Sequence, residues 1–181
     1  ETTPYPDKYL CDYPLTKAIA EREVLAANNK NGLLTVSLRP HLIWGPGDPH
    51  LVPRIIGRAK KGRLARVGKG ANKVDMTYID NAVEAHILAF KCLEEGATVA
   101  GQAYFISDDE PVNLWGWIDN LLARLDMPPV KKNISFRAAN AIGTTLEIIF
   151  RALGIKSEPP MTRFVASQLA TSHYFNISKA K

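Results

Sequence analysis

Cysteine is scarce in this chain, with two among 181 residues. Cys11 and Cys92 form no CxxC pair and stand beside no histidine at ligand spacing, so neither a disulfide framework nor a thiolate metal site is expected. The four histidines, His41, His50, His86 and His173, are scattered, and no metal ligation is expected from them. Long apolar runs are missing as well: none approaches the roughly 18–20 residues needed to span a bilayer. No signal-peptide pattern is visible, although the chain begins at Glu1 rather than Met. What is present is ordinary for a folded protein. Apolar residues make up 46% and charged residues 23%, which excludes wholesale disorder. The length suits one domain or somewhat more, able to bury roughly 70% of its unfolded surface. A net charge of +5 fits solubility as easily as an anionic partner. The expectation is a cytoplasmic protein with reduced thiols, Cys92 being a buried one on a helix.

Along the chain, strand-like and helix-like segments alternate. A helix is predicted from Tyr13, with Asp12 as N-cap and Pro14 in the first turn, and the run Asn28-Asn29-Lys30-Asn31-Gly32 stops it. Leu33–Leu38 is a nearly continuous apolar run, the pattern of a buried parallel strand. Arg39-Pro40 ends it, and turn residues fill Trp44–Pro49. A helix from Leu51 to about Lys61 follows, then strand-like stretches near Ala65–Val67 and Lys73–Tyr78. Further helices are expected over Asp80–Glu95, Asn113–Leu125, Phe136–Leu153 and Thr162–Ala170, with a buried strand at Ala103–Ile106. The alternation argues an α/β fold with a parallel sheet, though with too few strands to close a doubly wound domain.

Tyr13 and Lys17 stand four residues apart at the start of a helix, which puts both side chains on one face. A free phenol titrates near 10, too high for proton transfer at neutral pH. A fixed ammonium nearby favours the phenolate, so a Tyr/Lys pair is a workable acid/base couple at a carbinol or carbonyl oxygen. By itself this spacing is common enough to arise by accident.

Four ordered blocks make it more specific. Tyr13-Pro14-Leu15-Thr16-Lys17-Ala18 is followed by Leu38-Arg39-Pro40 and Trp44-Gly45-Pro46-Gly47-Asp48, then by Val74–His86, then by Gly101–Pro111. This set resembles the C-terminal half of extended short-chain dehydrogenases. It is most similar to the 3β-hydroxysteroid dehydrogenase family, sterol 4α-carboxylate 3-dehydrogenases included, with 2-alkyl-3-oxoalkanoate reductases similarly close. The resemblance implies an α/β fold: the C-terminal part of a Rossmann-type doubly wound parallel sheet, plus a smaller, mostly helical substrate-binding region. Residues 1–50 would belong to the dinucleotide-binding domain and 51–181 to the substrate region, with about 76–107 returning to the sheet.

The same resemblance implies roles. Tyr13 would be the catalytic acid/base, and Lys17 would hold the nicotinamide ribose hydroxyls and assist Tyr13. Pro40, His41 and Leu42 would lie against the nicotinamide of NAD or NADP. Trp44, Leu51, Pro53 and Arg54 would line the substrate side, facing a large apolar molecule such as a 3β-hydroxysterol or a β-keto acid. A homodimer through the helix carrying Tyr13 is a further implication. Two family features are absent: the glycine-rich phosphate loop, which Gly68-x-Gly70 does not supply, and the Ser/Thr upstream of the tyrosine. The chain is therefore expected to be a piece, inactive alone.

Other signals compete. Arg54, Arg58, Lys60, Lys61, Arg63, Arg66, Lys69 and Lys73 run without an acidic residue between them. A solvated helix face is the default reading. A nucleic-acid surface would want interleaved aromatics, and this segment has none, so no nucleic-acid partner is expected. A grip on a substrate carboxylate is a third reading. Ile142, Leu146, Ile149 and Leu153 form a helical stripe whose default is core, with contact to a membrane or a lipid substrate as the sharper alternative. Trp115 and Trp117 are expected to be packed rather than to bind. Asn133-Ile134-Ser135 and Asn176-Ile177-Ser178 match glycosylation sequons that a cytoplasmic protein would not use. Rival functions are a nucleotide-sugar epimerase or reductase of the same superfamily, and a non-catalytic basic module for RNA or membrane.

Overall fold

A computed structural model describes residues 4–181. In chain order the elements are α1 (Asp12–Ala26), β1 (Val36–Pro40), β2 (Ile43–Trp44), α2 (Leu51–Lys60), β3 (Arg66–Val67), β4 (Lys73–Val74), β5 (Thr77–Tyr78), α3 (Ile79–Cys92), β6 (Gln102–Ile106), β7 (Val112–Asn113), α4 (Leu114–Ala123), β8 (Asn133–Ile134), α5 (Phe136–Ala152) and α6 (Arg163–Ala170). They form two compact units. The first comprises residues 1–48, 75–110 and 175–181, the second 49–74 and 111–174.

The first unit is a parallel α/β assembly. β1 and β6 pair in parallel from Val36 opposite Gln102 to Pro40 opposite Ile106, and α1 and α3 both pack against β1. β2 pairs with β5, also parallel. The first strand begins three residues later than its apolar run predicts. Asn29, Asn31 and Gly32 all adopt positive φ, and Asn29 and Leu33 close a turn through a 2.8 Å backbone bond. That turn uses Leu33, which is left exposed, and the extended chain starts at Val36. Asp12 is not the N-cap of α1: Cys11 takes that position without a side-chain bond, and Asp12 is the first helical residue. Its carboxylate there still complements the helix dipole. Cys92 is exposed rather than buried. It ends α3 one turn after Leu88 and shares that residue's outward face.

The second unit is mostly helical. β3 pairs with β8 in parallel and β4 with β7 antiparallel. The expected strand over Lys73–Tyr78 is thus two short strands with different partners, and β7 and β8 went unforeseen because two-residue pairings leave no periodicity to read. The core gathers Trp115, Ile118 and Leu122 from α4 with Val67 and Val74, the i, i+3, i+7 spacing of one helical face. Trp115 is packed as expected, its indole N–H donating to Leu169 O at 3.2 Å, while Trp117 is only half-buried. Side chains cap three of these helices: Asn113 accepts from Gly116 N–H, Ser135 from Ala138 N–H and Thr162 from Val165 N–H.

The stripe on α5 is not core. Ile142 and Ile149 are exposed and Leu153 is 70% exposed, while Leu146 is half-buried. The helix instead buries Ala139 and Gly143 against α6. A Cβ on Gly143 would lie 2.7 Å from the backbone nitrogen of Arg163, so close approach of the two backbones selects small residues, and the large ones fall on other faces.

Candidate active site

In the first unit, α1 carries Tyr13 in its second position and Pro14 in its third, where a missing N–H costs no intrahelical bond. Tyr13 is 63% exposed and Lys17, one turn on, is exposed as well. Thr16 Oγ1 donates back to Tyr13 O at 2.9 Å, tightening this first turn. Lys17 makes no hydrogen bond or ion pair among the described residues. A turn further along, Glu21 anchors the helix to β1. Its carboxylate accepts from Ser37 Oγ at 2.7 Å, from Arg39 Nε at 2.7 Å and Arg39 Nη2 at 2.5 Å, and from the Tyr5 hydroxyl. The Arg39 hydrogen bonds are the main reason its pKa is lowered to about 2 against the opposing effect of burial. The same carboxylate raises the pKa of Tyr5.

Pro40, His41 and Leu42 leave β1 at its C-terminal end, the end at which open α/β sheets bind ligands. Leu42 has φ of +45°, in the left-handed region. Thr77, fully buried on β5, engages this turn: its hydroxyl lies 2.8 Å from His41 O and 3.0 Å from Ile106 O, and it accepts from His41 N–H at 3.2 Å. The His41 ring meets Phe175 edge-on at 5.1 Å, and Phe175 stacks on Phe105 at 4.1 Å. Buried Asp75 accepts the Phe175 N–H at 2.7 Å. Trp44, on β2, packs edge-on against Tyr78 at 5.3 Å. Beyond it, Gly45 holds φ of +143°, and a Cβ there would meet Ile79 at 2.6 Å. Asp108 accepts from Tyr78 N–H and Asn81 Nδ2 at the start of α3.

Leu51, Pro53 and Arg54 lie on the first turn of α2, in the second unit. Arg54 already holds a carboxylate there, that of Glu158 at 2.6 Å. Two other members of the basic stretch are likewise used within the unit: Arg58 donates to Pro160 O, and Arg66 pairs with Asp119 at 2.8 Å. Among the described residues no group of three or more His, Cys, Asp and Glu side chains could hold a metal. No described helix is long and apolar enough to cross a membrane.

The first unit therefore brings Tyr13, Lys17, Pro40, His41, Leu42 and Trp44 onto one parallel α/β frame. Thr77, Asp75 and Asp108 were not singled out from sequence, although all three fall inside motif blocks. The donor set suits a nicotinamide ribose: an ammonium with three N–H donors and no partner among the described residues, one turn from a phenol that can donate or accept.

A parallel β1–β6 pair flanked by α1 and α3 defines the class as Rossmann-type α/β. The UDP-glucuronic acid 4-epimerase of Bacillus cereus, solved with NAD, shares this fold with a TM-score of 0.60 and 22% identity, over 74% of this chain and 42% of that one. Within that class the chain belongs to the 3-beta hydroxysteroid dehydrogenase/isomerase family, whose model matches residues 1–137. It is 51% identical to the 2-alkyl-3-oxoalkanoate reductase of Stenotrophomonas maltophilia, over all of this chain and 54% of that protein. It is 36% identical to the decarboxylating sterol-4-alpha-carboxylate 3-dehydrogenase of Mus musculus, over all of this chain and 51% of that one. The chain thus spans about half the length of the curated relatives it matches.

Proposed function

We propose that the protein carrying this chain is an NAD(P)-dependent oxidoreductase that interconverts a ketone and a secondary alcohol on a large apolar substrate. The observation that carries this reading is the placement of Tyr13 and Lys17 on one exposed face of a helix anchored to the parallel sheet. Tyr13 gives its phenolic proton to the carbonyl oxygen as that oxygen gains charge, and takes a proton back in the alcohol-to-ketone direction. Lys17 offers ammonium donors to the ribose hydroxyls and a positive charge one turn from the reacting oxygen. Pro40, His41 and Leu42 fix the face presented to the substrate, with Trp44 next to them along the chain toward the substrate side. When bound, the nicotinamide supplies or accepts the hydride, which is the cofactor's chemistry.

The higher identity to a 2-alkyl-3-oxoalkanoate reductase favours an acyclic β-keto acid over a sterol. Substituting Tyr13→Phe removes the proton donor while keeping the ring. Turnover of a 2-alkyl-3-oxo acid is expected to fall by about 10²–10⁴-fold with cofactor affinity largely kept; near-normal turnover would exclude the mechanism. The reading includes a homodimer through α1, supported by its exposed Leu15 and Ile19. A monomer mass in sedimentation would remove that part. The nucleotide-sugar reading has only the shared fold behind it, and the internal pairing of Arg54, Arg58 and Arg66 weakens the case for a diphosphate grip.

A further inference from the structure

We infer that Thr77 is the positioning residue that sets the conformation of the Pro40–Leu42 turn, and through it the placement of the nicotinamide; this rests on the reading above that the turn faces the nicotinamide. Three backbone groups of the turn converge on this one side chain and its amide. The Thr77 hydroxyl accepts from His41 N–H at 3.2 Å and stands 2.8 Å from His41 O. Its own N–H donates to Leu42 O at 3.4 Å. The hydroxyl has one proton, which serves His41 O or, at 3.0 Å, Ile106 O at the end of the neighbouring strand.

The turn needs such a hold. Leu42 sits at φ +45°, where its Cβ crowds the following carbonyl, and an L residue keeps that conformation only when its surroundings over-determine it. His41 N–H makes the last bond of the β1–β6 ladder, to Ile106 O at 3.2 Å, and Thr77 Oγ1 shares that donor where β1 gives way to the turn. Thr77 is fully buried, and a replacement of the same shape leaves no room for a water in place of its hydroxyl. The His41 ring is fixed separately by Phe175, itself tied to Asp75. Removing the Thr77 hydroxyl therefore takes away the side-chain hold on His41 N–H and His41 O while leaving the backbone bonds to Leu42 O and Ile106 O and the ring contact in place. A threonine that merely fills space would act on the fold as a whole; one that sets this turn acts on the nicotinamide end of the cofactor alone.

The test is calorimetric titration of the protein carrying this chain with reduced cofactor and, separately, with the matching ADP-ribose, which lacks the nicotinamide. Thr77→Val keeps the shape and removes the hydroxyl. It is expected to weaken reduced-cofactor binding by about tenfold, the usual consequence of orphaning a buried hydrogen-bonding group, and to change ADP-ribose binding less than about twofold. Thr77→Ser restores the hydroxyl and is expected to return cofactor affinity to within about threefold of the parent. If Thr77→Val does not fold, Thr77→Cys, a far weaker hydrogen-bonding group, carries the same comparison. Equal loss of both ligands, unchanged cofactor affinity, or a Ser variant as poor as Val overturns the role of Thr77. A parent protein that binds reduced cofactor no better than ADP-ribose overturns the underlying reading of the turn as well, so the two failures are told apart.

Discussion

The two units of this chain differ in what they bury. Of the four buried polar residues among those described, Thr35, Asp75 and Thr77 belong to the unit carrying Tyr13 and Lys17, and only Asn72 belongs to the other. The largest buried side chains of the second unit are apolar: Trp115, Ile118, Leu122, Val67 and Val74. Charge divides the same way. Residues 1–48, 75–110 and 175–181 carry fourteen Asp and Glu against eight Lys and Arg, whereas the remaining residues carry four against fifteen. Hydrogen bonds are directional and hold a backbone in one geometry; apolar burial is not, and holds bulk together while leaving surfaces free to vary. Among the described residues, the unit with the proposed chemistry is the one whose interior holds more polar groups.

The largest test of this contrast is Trp115→Ala. The residue is 1% exposed and belongs with Ile118, Leu122 and Val67 to the fully buried side chains of this unit. Its removal is expected to cost about 3–5 kcal/mol, measured by denaturant unfolding. If packing rather than polar anchoring holds the second unit, the loss appears there first, and proteolysis cleaves within 49–74 or 111–174 before it reaches α1. A loss below about 1 kcal/mol would mean that the apolar cluster is not what holds this unit.

The first unit is broken through charge instead. Glu21 has its pKa lowered from 4.5 to about 2, chiefly by Arg39. A depressed carboxyl contributes stability that is fully present above its unfolded value and is lost as pH falls from about 4.5 through about 2. Glu21→Gln is therefore expected to destabilise at neutral pH by about 1–2 kcal/mol after solvent screening is discounted. The gap between variant and parent should narrow steadily below pH 4.5 and close near pH 2. A pH-independent gap would assign the effect to lost packing. Because Glu21 follows Lys17 by one turn on α1, a drop in cofactor affinity should accompany the loss.

These contrasts also explain what could be read from sequence. The helix carrying Tyr13 and Lys17 was legible because a turn of four residues is a local property, marked by Pro14 and by the Asn/Gly stop. The α/β order was legible for the same reason. The start of β1 was not, because left-handed Asn29 and Asn31 keep Leu33 in a turn although it belongs to an apolar run. Thr77 was invisible for a different reason: a lone threonine in Val-Asp-Met-Thr-Tyr reads as an ordinary strand residue, and its partners lie 29 and 36 positions away. Large apolar residues on α5 pointed to the wrong face, since the packed face is marked by Ala139 and Gly143 instead. Periodicity reports where bulk is, and close helix packing puts the bulk elsewhere.

The smallest effect on stability sharpens the comparison from that outer face. Ile142, Ile149 and Leu153 lie within about 40° of one another around the α5 axis by the 3.6-residue repeat, and all three are exposed. Replacing Ile149 and Leu153 by Ser is expected to change unfolding free energy by less than about 0.5 kcal/mol per site, as for surface positions without a special role. A larger loss would return the stripe to the core. The same variants test the alternative reading of this stripe as a membrane-contact surface. The second unit carries fifteen basic residues, and apolar area beside net positive charge is what anionic bilayers bind. Co-sedimentation of the parent with anionic vesicles, weakened in the double variant and by added salt, is the expected pattern. Unchanged binding in the variant would leave the basic residues as the sole attachment, and no binding by the parent would remove the membrane from this protein's partners.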